Sequence, residues 1–149
     1  MQAIIFIGIQ GAGKSTFYRE YFLDTHIRIN LDMLKTRHRE KLIFQACLSA
    51  KQKFVIDNTN PTVEDRKKYI MTAKAQGFLV LAYYFDSNLA DCKQRNNQRE
   101  GKKVIPVVGI LSTYKKLVLP SYTEGFDAIY SVKTCHNYSF IVEEWNREI

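Results

Sequence analysis

Three cysteines, three prolines and a single tryptophan are all that this 149-residue chain carries of the residues that staple, break or anchor small folds. Cys47, Cys92 and Cys135 lie far apart with no C-x-x-C spacing, and an odd number cannot close into internal disulfides. A disulfide scaffold is excluded and reduced, buried thiols are expected. His26, His38 and His136 likewise lack metal-ligand spacing. No apolar run is long enough to cross a bilayer, and the run from Ala3 to Ile9 has neither a basic flank nor a cleavage site, so a cytoplasmic protein without a membrane partner is expected. No repeat, charge block or Ser/Pro-rich linker divides the chain, and Pro61, Pro106 and Pro120 fall between periodic segments as breakers do. Residues 1–149 therefore read as one domain. Acidic residues are the scarcer charge, 15 against 22 Lys plus Arg, and the resulting net +7 favours an anionic ligand or partner.

What is present is an alternation of two patterns. Ala3 to Ile7, Phe54 to Ile56 and Phe78 to Phe85 are unbroken β-branched, aliphatic and aromatic runs of the kind that form strands buried on both faces. Shorter strands are expected at Ile27 to Ile29 and Ala128 to Val132. Helical stretches run from Lys14 to Leu23, Leu31 to about Lys51, Thr62 to Gln76, about Asn88 to Arg99, and onward from Pro106. Thr62-x-x-Asp65 opens one of them as a capping box and Gly77 closes it. Ser121-x-x-Glu124 has the same spacing, but Gly125 follows at once and the match reads as coincidence. The alternation predicts an α/β protein of three layers, with a mostly parallel sheet of about five strands and helices on both faces. Ligands should bind beyond the carboxyl ends of the strands.

Directly after the first strand stands Gly8-Ile-Gln-Gly11-Ala12-Gly13-Lys14-Ser15-Thr16, a full match to the phosphate-loop pattern G-x-x-x-x-G-K-[ST] in the strand-to-helix setting it requires. Its glycines let successive backbone N–H groups face phosphate oxygens, and the helix beginning at Lys14 adds its positive dipole end. Gly11, Ala12, Gly13, Lys14, Ser15 and Thr16 are thus candidate nucleotide-binding residues. Lys14 would reach the β- and γ-phosphates and Ser15 would coordinate Mg²⁺, while Thr16 would meet the α-phosphate or cap backbone. The expected donor is ATP or another nucleoside triphosphate.

Three carboxylates end or follow strands and should gather near this loop. Asp57 closes an apolar strand as a metal-binding or Ser15-holding acid does, or serves as a turn residue; Asp86 reads as a helix N-cap. Asp32, one strand over, stands where an acceptor hydroxyl would lie and could take its proton, with an acid stabilising a helix N-terminus as the plainer alternative. Basic charge concentrates in two stretches, Arg28 to Lys53 and Lys93 to Lys116, each with seven basic residues. Arg95 and Arg99 share one helical face ahead of a Glu100-Gly-Lys-Lys-Val-Ile105 segment that could act as a lid, and one of them should reach the nucleotide. Lys35, one turn beyond Asp32, is the best substrate-binding candidate.

Taken together these elements resemble the P-loop kinase family that includes the kinase domains of 5′-hydroxyl polynucleotide kinases. The likeness spans nearly the whole chain. Arg28-Ile-Asn-Leu-Asp32 resembles the family segment carrying the catalytic Asp, Asp57-Asn-Thr-Asn-Pro61 its Asp-Asn-Thr-Asn element, and Arg95-Asn-Asn-Gln-Arg99 its lid arginines. Val104-Ile-Pro106 through Tyr114-Lys, and Pro120 with Glu124-Gly-Phe-Asp127, resemble its C-terminal signatures. The resemblance implies that Asp32 is the general base and Arg99 the arginine that clamps the phosphates. Lys35 stands where the phage enzyme has a substrate-contacting arginine, which forfeits bidentate phosphate binding. The implied activity is ATP- and Mg²⁺-dependent phosphoryl transfer to a hydroxyl, with a 5′-OH nucleic acid end as acceptor. A small-molecule kinase and a switch or bare NTPase are the alternatives.

Overall fold

The structure, a computed structural model, describes residues 1–86, 88, 91, 94, 105–134 and 139–145. Strand β1 (Gln2–Ile7) leads through the phosphate loop into helix α1 (Lys14–Tyr21), followed by β2 (Ile27–Ile29), the short α2 (Leu31–Leu34), α3 (Arg37–Ala50) and β3 (Phe54–Ile56). Then come α4 (Val63–Ala75), β4 (Leu79–Phe85), α5 (Val107–Lys116), a 3₁₀ turn (Tyr122–Glu124), β5 (Ala128–Thr134) and β6 (Phe140–Glu144). One six-stranded sheet has the order β2-β3-β1-β4-β5-β6. Every pairing is parallel except β5 with β6. The expected five strands are present, and β6 adds an antiparallel sixth at the edge.

Strand alternation divides the core in two. Ala3, Ile5 and Ile7 of β1 face one side, where Phe44, Cys47 and Leu48 of α3 and Tyr69, Ile70 and Ala73 of α4 cover the sheet. Ile4 and Phe6 face the other, against Phe17 and Tyr18 of α1 and Ile110 of α5. The three-layer α/β architecture follows directly, because a strand buried on both faces needs helices on both. Phe6 anchors the second layer, with its ring 5.0 Å from Phe85 and 5.9 Å from Phe17 in edge-to-face contacts. Cys47 is a free, buried thiol, as expected, whereas Cys92 and Cys135 lie outside the described residues. Among the described residues no helix is long and apolar enough to cross a membrane.

The expected single helix from Leu31 to Lys51 is two helices. Lys35 ends α2 with φ 75°, and the Thr36 hydroxyl accepts from Arg39 N at 3.1 Å to start α3 afresh. This break separates the residues around Asp32 from the long helix that packs on the sheet. The capping box at Thr62 and Asp65 is present as predicted. The one at Ser121 and Glu124, read as coincidence, is real: it opens the 3₁₀ turn, and Gly125 at φ 109° closes it. The box encloses a single 3₁₀ turn, so glycine can follow it at once. The helix expected from Asn88 to Arg99 falls largely outside the described residues, as do Arg95 and Arg99 themselves.

Candidate active site

Because β1 lies between β3 and β4, the loop that follows it opens where neighbouring strand ends converge. Two glycines shape it. Gly13 takes φ 95° at the head of α1, and a Cβ on Gly8 would sit 2.9 Å from the Phe85 Cβ, so the loop can hug the end of β4 only without a side chain there. Gly8 N donates to Thr59 O at 3.0 Å, which ties the loop to the segment after β3. Lys14 folds over the loop, its Nζ donating to Gly8 O at 2.9 Å and Ile9 O at 2.7 Å. Gly11, Gly13, Lys14, Ser15 and Thr16 line an open cleft of about 1240 Å³. Ala12 does not line it: its methyl is buried against the sheet and its N–H points to Ile9 O at 3.3 Å.

Asp32 and Lys35 line the same cleft, both exposed. Their short helix is held from two sides. Asn30 caps it by accepting from Met33 N at 2.9 Å, while its amide donates to Asp57 O at 2.6 Å. Leu31 N donates to the Asn58 side chain at 2.9 Å. Asn58 in turn donates to Glu40 at 3.0 Å, and Glu40, almost fully buried, also accepts from Tyr69 at 2.6 Å and Arg37 at 3.0 Å. Burial opposes the Glu40 charge, but the bonds from Tyr69 and Asn58 together with the Arg37 charge outweigh it and hold the carboxyl below its ordinary range. Burial and the Glu40 partner push the Tyr69 phenol up. Asp32 thus stands on a turn braced by a continuous polar network that reaches α4.

Asp57 is 1% exposed and pairs with Arg28 Nε at 2.7 Å. It does not hold the Ser15 hydroxyl itself: Arg28 Nη2 donates to Ser15 Oγ at 2.9 Å, so a single guanidinium joins the two expected metal ligands. The resemblance implies magnesium at this point. A hydroxyl and a carboxylate are the hard oxygen donors that Mg²⁺ accepts alongside phosphate and water, and both lie within reach of one small cationic group, so Ser15 and Asp57 fit the ion. Among the described residues no cluster of three or more His, Cys, Asp or Glu could hold a metal without such help. Asp86, exposed and 3.9 Å from Lys133, does not line the cleft.

Several residues of the site escape sequence reasoning. Arg28 is one of them, although a charged residue between Ile27 and Ile29 in a covered sheet is itself a signal that it must reach something. Asn58 and Asn60 are others. The Asn60 amide donates to Phe6 O at 2.8 Å and its backbone carries φ 45°, the local bonding that short amide side chains supply where a strand gives out. Arg66 is fully buried beneath them, donating to Asn60 O at 2.9 Å, Pro61 O at 3.0 Å, Val118 O and the Glu124 carboxylate.

The chain is similar to two curated proteins. One is the putative bifunctional polynucleotide phosphatase/kinase of Acanthamoeba polyphaga mimivirus, 33% identical over 98% of this chain and 37% of the relative. The other is the bifunctional polynucleotide phosphatase/kinase of Schizosaccharomyces pombe, 26% identical over 97% of this chain and 36% of the relative. The chain therefore spans little more than a third of either relative's length. In fold it is similar to Chaetomium thermophilum Kti12 in complex with ADP-AlF3, with a TM-score of 0.66 at 14% identity over 91% of this chain and 92% of that one. The family model described as an AAA domain matches residues 35–109, half of the chain. With that match beside the phosphate loop and the mixed sheet, the chain belongs to the AAA-domain family of P-loop proteins, on the side of it that resembles polynucleotide kinases.

Proposed function

We propose that the chain is an ATP- and Mg²⁺-dependent kinase that transfers the γ-phosphoryl group to a hydroxyl, the 5′-OH end of DNA or RNA, with residues 1–149 acting as a single P-loop kinase domain. The observation that carries the reading is that Asp32 and the phosphate loop open into one cleft large enough for donor and acceptor together. Asp32 takes the proton of the acceptor hydroxyl as its oxygen bonds to the γ-phosphorus. The bond from that phosphorus to the β-bridging oxygen breaks, and the electron pair leaves with the nucleoside diphosphate. Lys14 turns to the phosphate oxygens, Arg99 clamps the transferring group as the family resemblance implies, and Arg95 is a second candidate to reach the nucleotide. Ser15 and Asp57 would hold magnesium, which would supply positive charge beside the β- and γ-phosphates. Lys35, Arg37 and Lys68 line the same cleft as Asp32 and supply the positive border that a phosphate backbone needs. The names of the two curated relatives support a polynucleotide acceptor.

The test is transfer of labelled terminal phosphate from ATP to 5′-OH oligonucleotides, nucleosides and sugars. Labelled oligonucleotide is expected, in a yield that falls steeply with salt. Asp32→Asn lowers that transfer by roughly 10²- to 10⁴-fold with ATP affinity retained. Label appearing solely as inorganic phosphate identifies a hydrolase, and label on nucleosides or sugars alone identifies a small-molecule kinase.

A further inference from the structure

We propose that Arg28 is the resident counter-cation of the nucleotide cleft, which holds the Ser15 hydroxyl and the Asp57 carboxylate until a metal–nucleotide complex displaces it. The inference rests on the nucleotide and metal roles given above to the phosphate loop, Ser15 and Asp57. Asp57 is 1% exposed, and a carboxylate so enclosed needs a positive partner whether or not nucleotide is present. Arg28 supplies it through Nε at 2.7 Å and, with a second nitrogen, donates to Ser15 Oγ at 2.9 Å. These are the two oxygens a divalent ion would draw upon, so guanidinium and ion compete for one place. Guanidinium does not lose its proton in proteins, and the competition can be settled only by movement. Movement is open to it. The Arg28 side chain is 27% exposed, enters the sheet from the edge strand β2, and has the Tyr18 ring 6.0 Å from its Cζ as a surface to lie against.

The consequence is a nucleotide affinity that responds less to metal than it would in a phosphate loop without such a residue. With no metal, Arg28 adds a positive charge beside the triphosphate and favours ATP. With metal, the same charge must be evicted and opposes binding. Arg28 thereby flattens the difference between the two forms of the nucleotide.

The experiment is titration of a fluorescent ATP analogue into wild type and Arg28→Gln, once in EDTA and once in saturating Mg²⁺. Glutamine keeps an N–H donor for Asp57 and drops the charge. The expected result is about tenfold weaker binding in EDTA, the size of one lost charge-assisted hydrogen bond, with binding in Mg²⁺ unchanged or tighter. An unchanged ratio of the two affinities overturns the proposal, and where both are weakened equally Arg28 is a plain phosphate ligand. Failure of wild type to bind the analogue in either condition overturns the nucleotide-site reading itself. Should Arg28→Gln not fold, ¹⁵N-arginine spectra of wild type decide, with Arg28→Lys supplying the assignment. The Arg28 Nε–H signal, protected from exchange in EDTA with or without ATP, should become solvent-exchanging on addition of Mg²⁺ and ATP together; protection that persists overturns the proposal.

Discussion

Two arginine–carboxylate pairs flank the segment that follows β3 and have opposite characters. Arg66 with Glu124 is closed off: the arginine is fully buried, the carboxylate nearly so, and backbone carbonyls of residues 60, 61 and 118 take up its other nitrogens. Arg28 with Asp57 is closed at the carboxylate and open at the arginine, whose remaining bond goes to a hydroxyl on the cleft wall. The first pair joins the segment after β3 to the 3₁₀ turn before β5 and has no route to solvent. The second faces the open cleft. The difference teaches that the surroundings of an ion pair, rather than its chemistry, assign it to architecture or to function.

Removing one carboxylate from each pair breaks that comparison most directly. Glu124→Gln strands a buried guanidinium and should cost about 3–5 kcal/mol in urea unfolding, with nucleotide affinity of the folded protein intact. Asp57→Asn should cost less, about 1–2 kcal/mol, because the arginine it releases can turn to water. Nucleotide titrations on that variant should lose their response to Mg²⁺. Thr62→Ala removes the box that starts α4, the helix carrying Arg66, and should cost about 1 kcal/mol by the same unfolding measurement. The effect confined to acid concerns β2, whose first residue follows His26. Burial, with nearby Lys53, pushes that imidazole down to about 4. Between there and its ordinary value of 6.5 the unfolded chain binds a proton that the folded chain does not, so stability should rise with pH across this window and fall on acidification. Melting curves of His26→Gln should lose that part of the slope.

The sheet was legible because strands buried on both faces leave unbroken apolar runs, and the phosphate loop because its chemistry tolerates few residue types. The place of Asp57 at the strand end beside the loop was legible from its apolar run, and the Thr62 cap from its capping spacing. The break at Lys35 was not, since Leu34, Lys35 and Arg37 all suit a helix interior and Thr36 shows its capping role only in the fold. Nor was β6, an edge strand with exposed Ile141, Val142, Glu143 and Glu144 and therefore no clear alternation. The arginine pairs join residues 29 and 58 positions apart, a separation that no local pattern encodes. Asn58 and Asn60 stood within a segment read for its resemblance, and their work is to replace bonds the backbone does not make.

Lys14 rests on the carbonyls of its own loop. In the proposed reading, an arriving anion competes with those acceptors for the ammonium, and a lone phosphate or chloride ion has few oxygens or none to offer the rest of the cradle. A triphosphate engages many backbone donors at once. In the proposed reading, the resting lysine would thus set a threshold that favours ligands engaging many donors over single small anions.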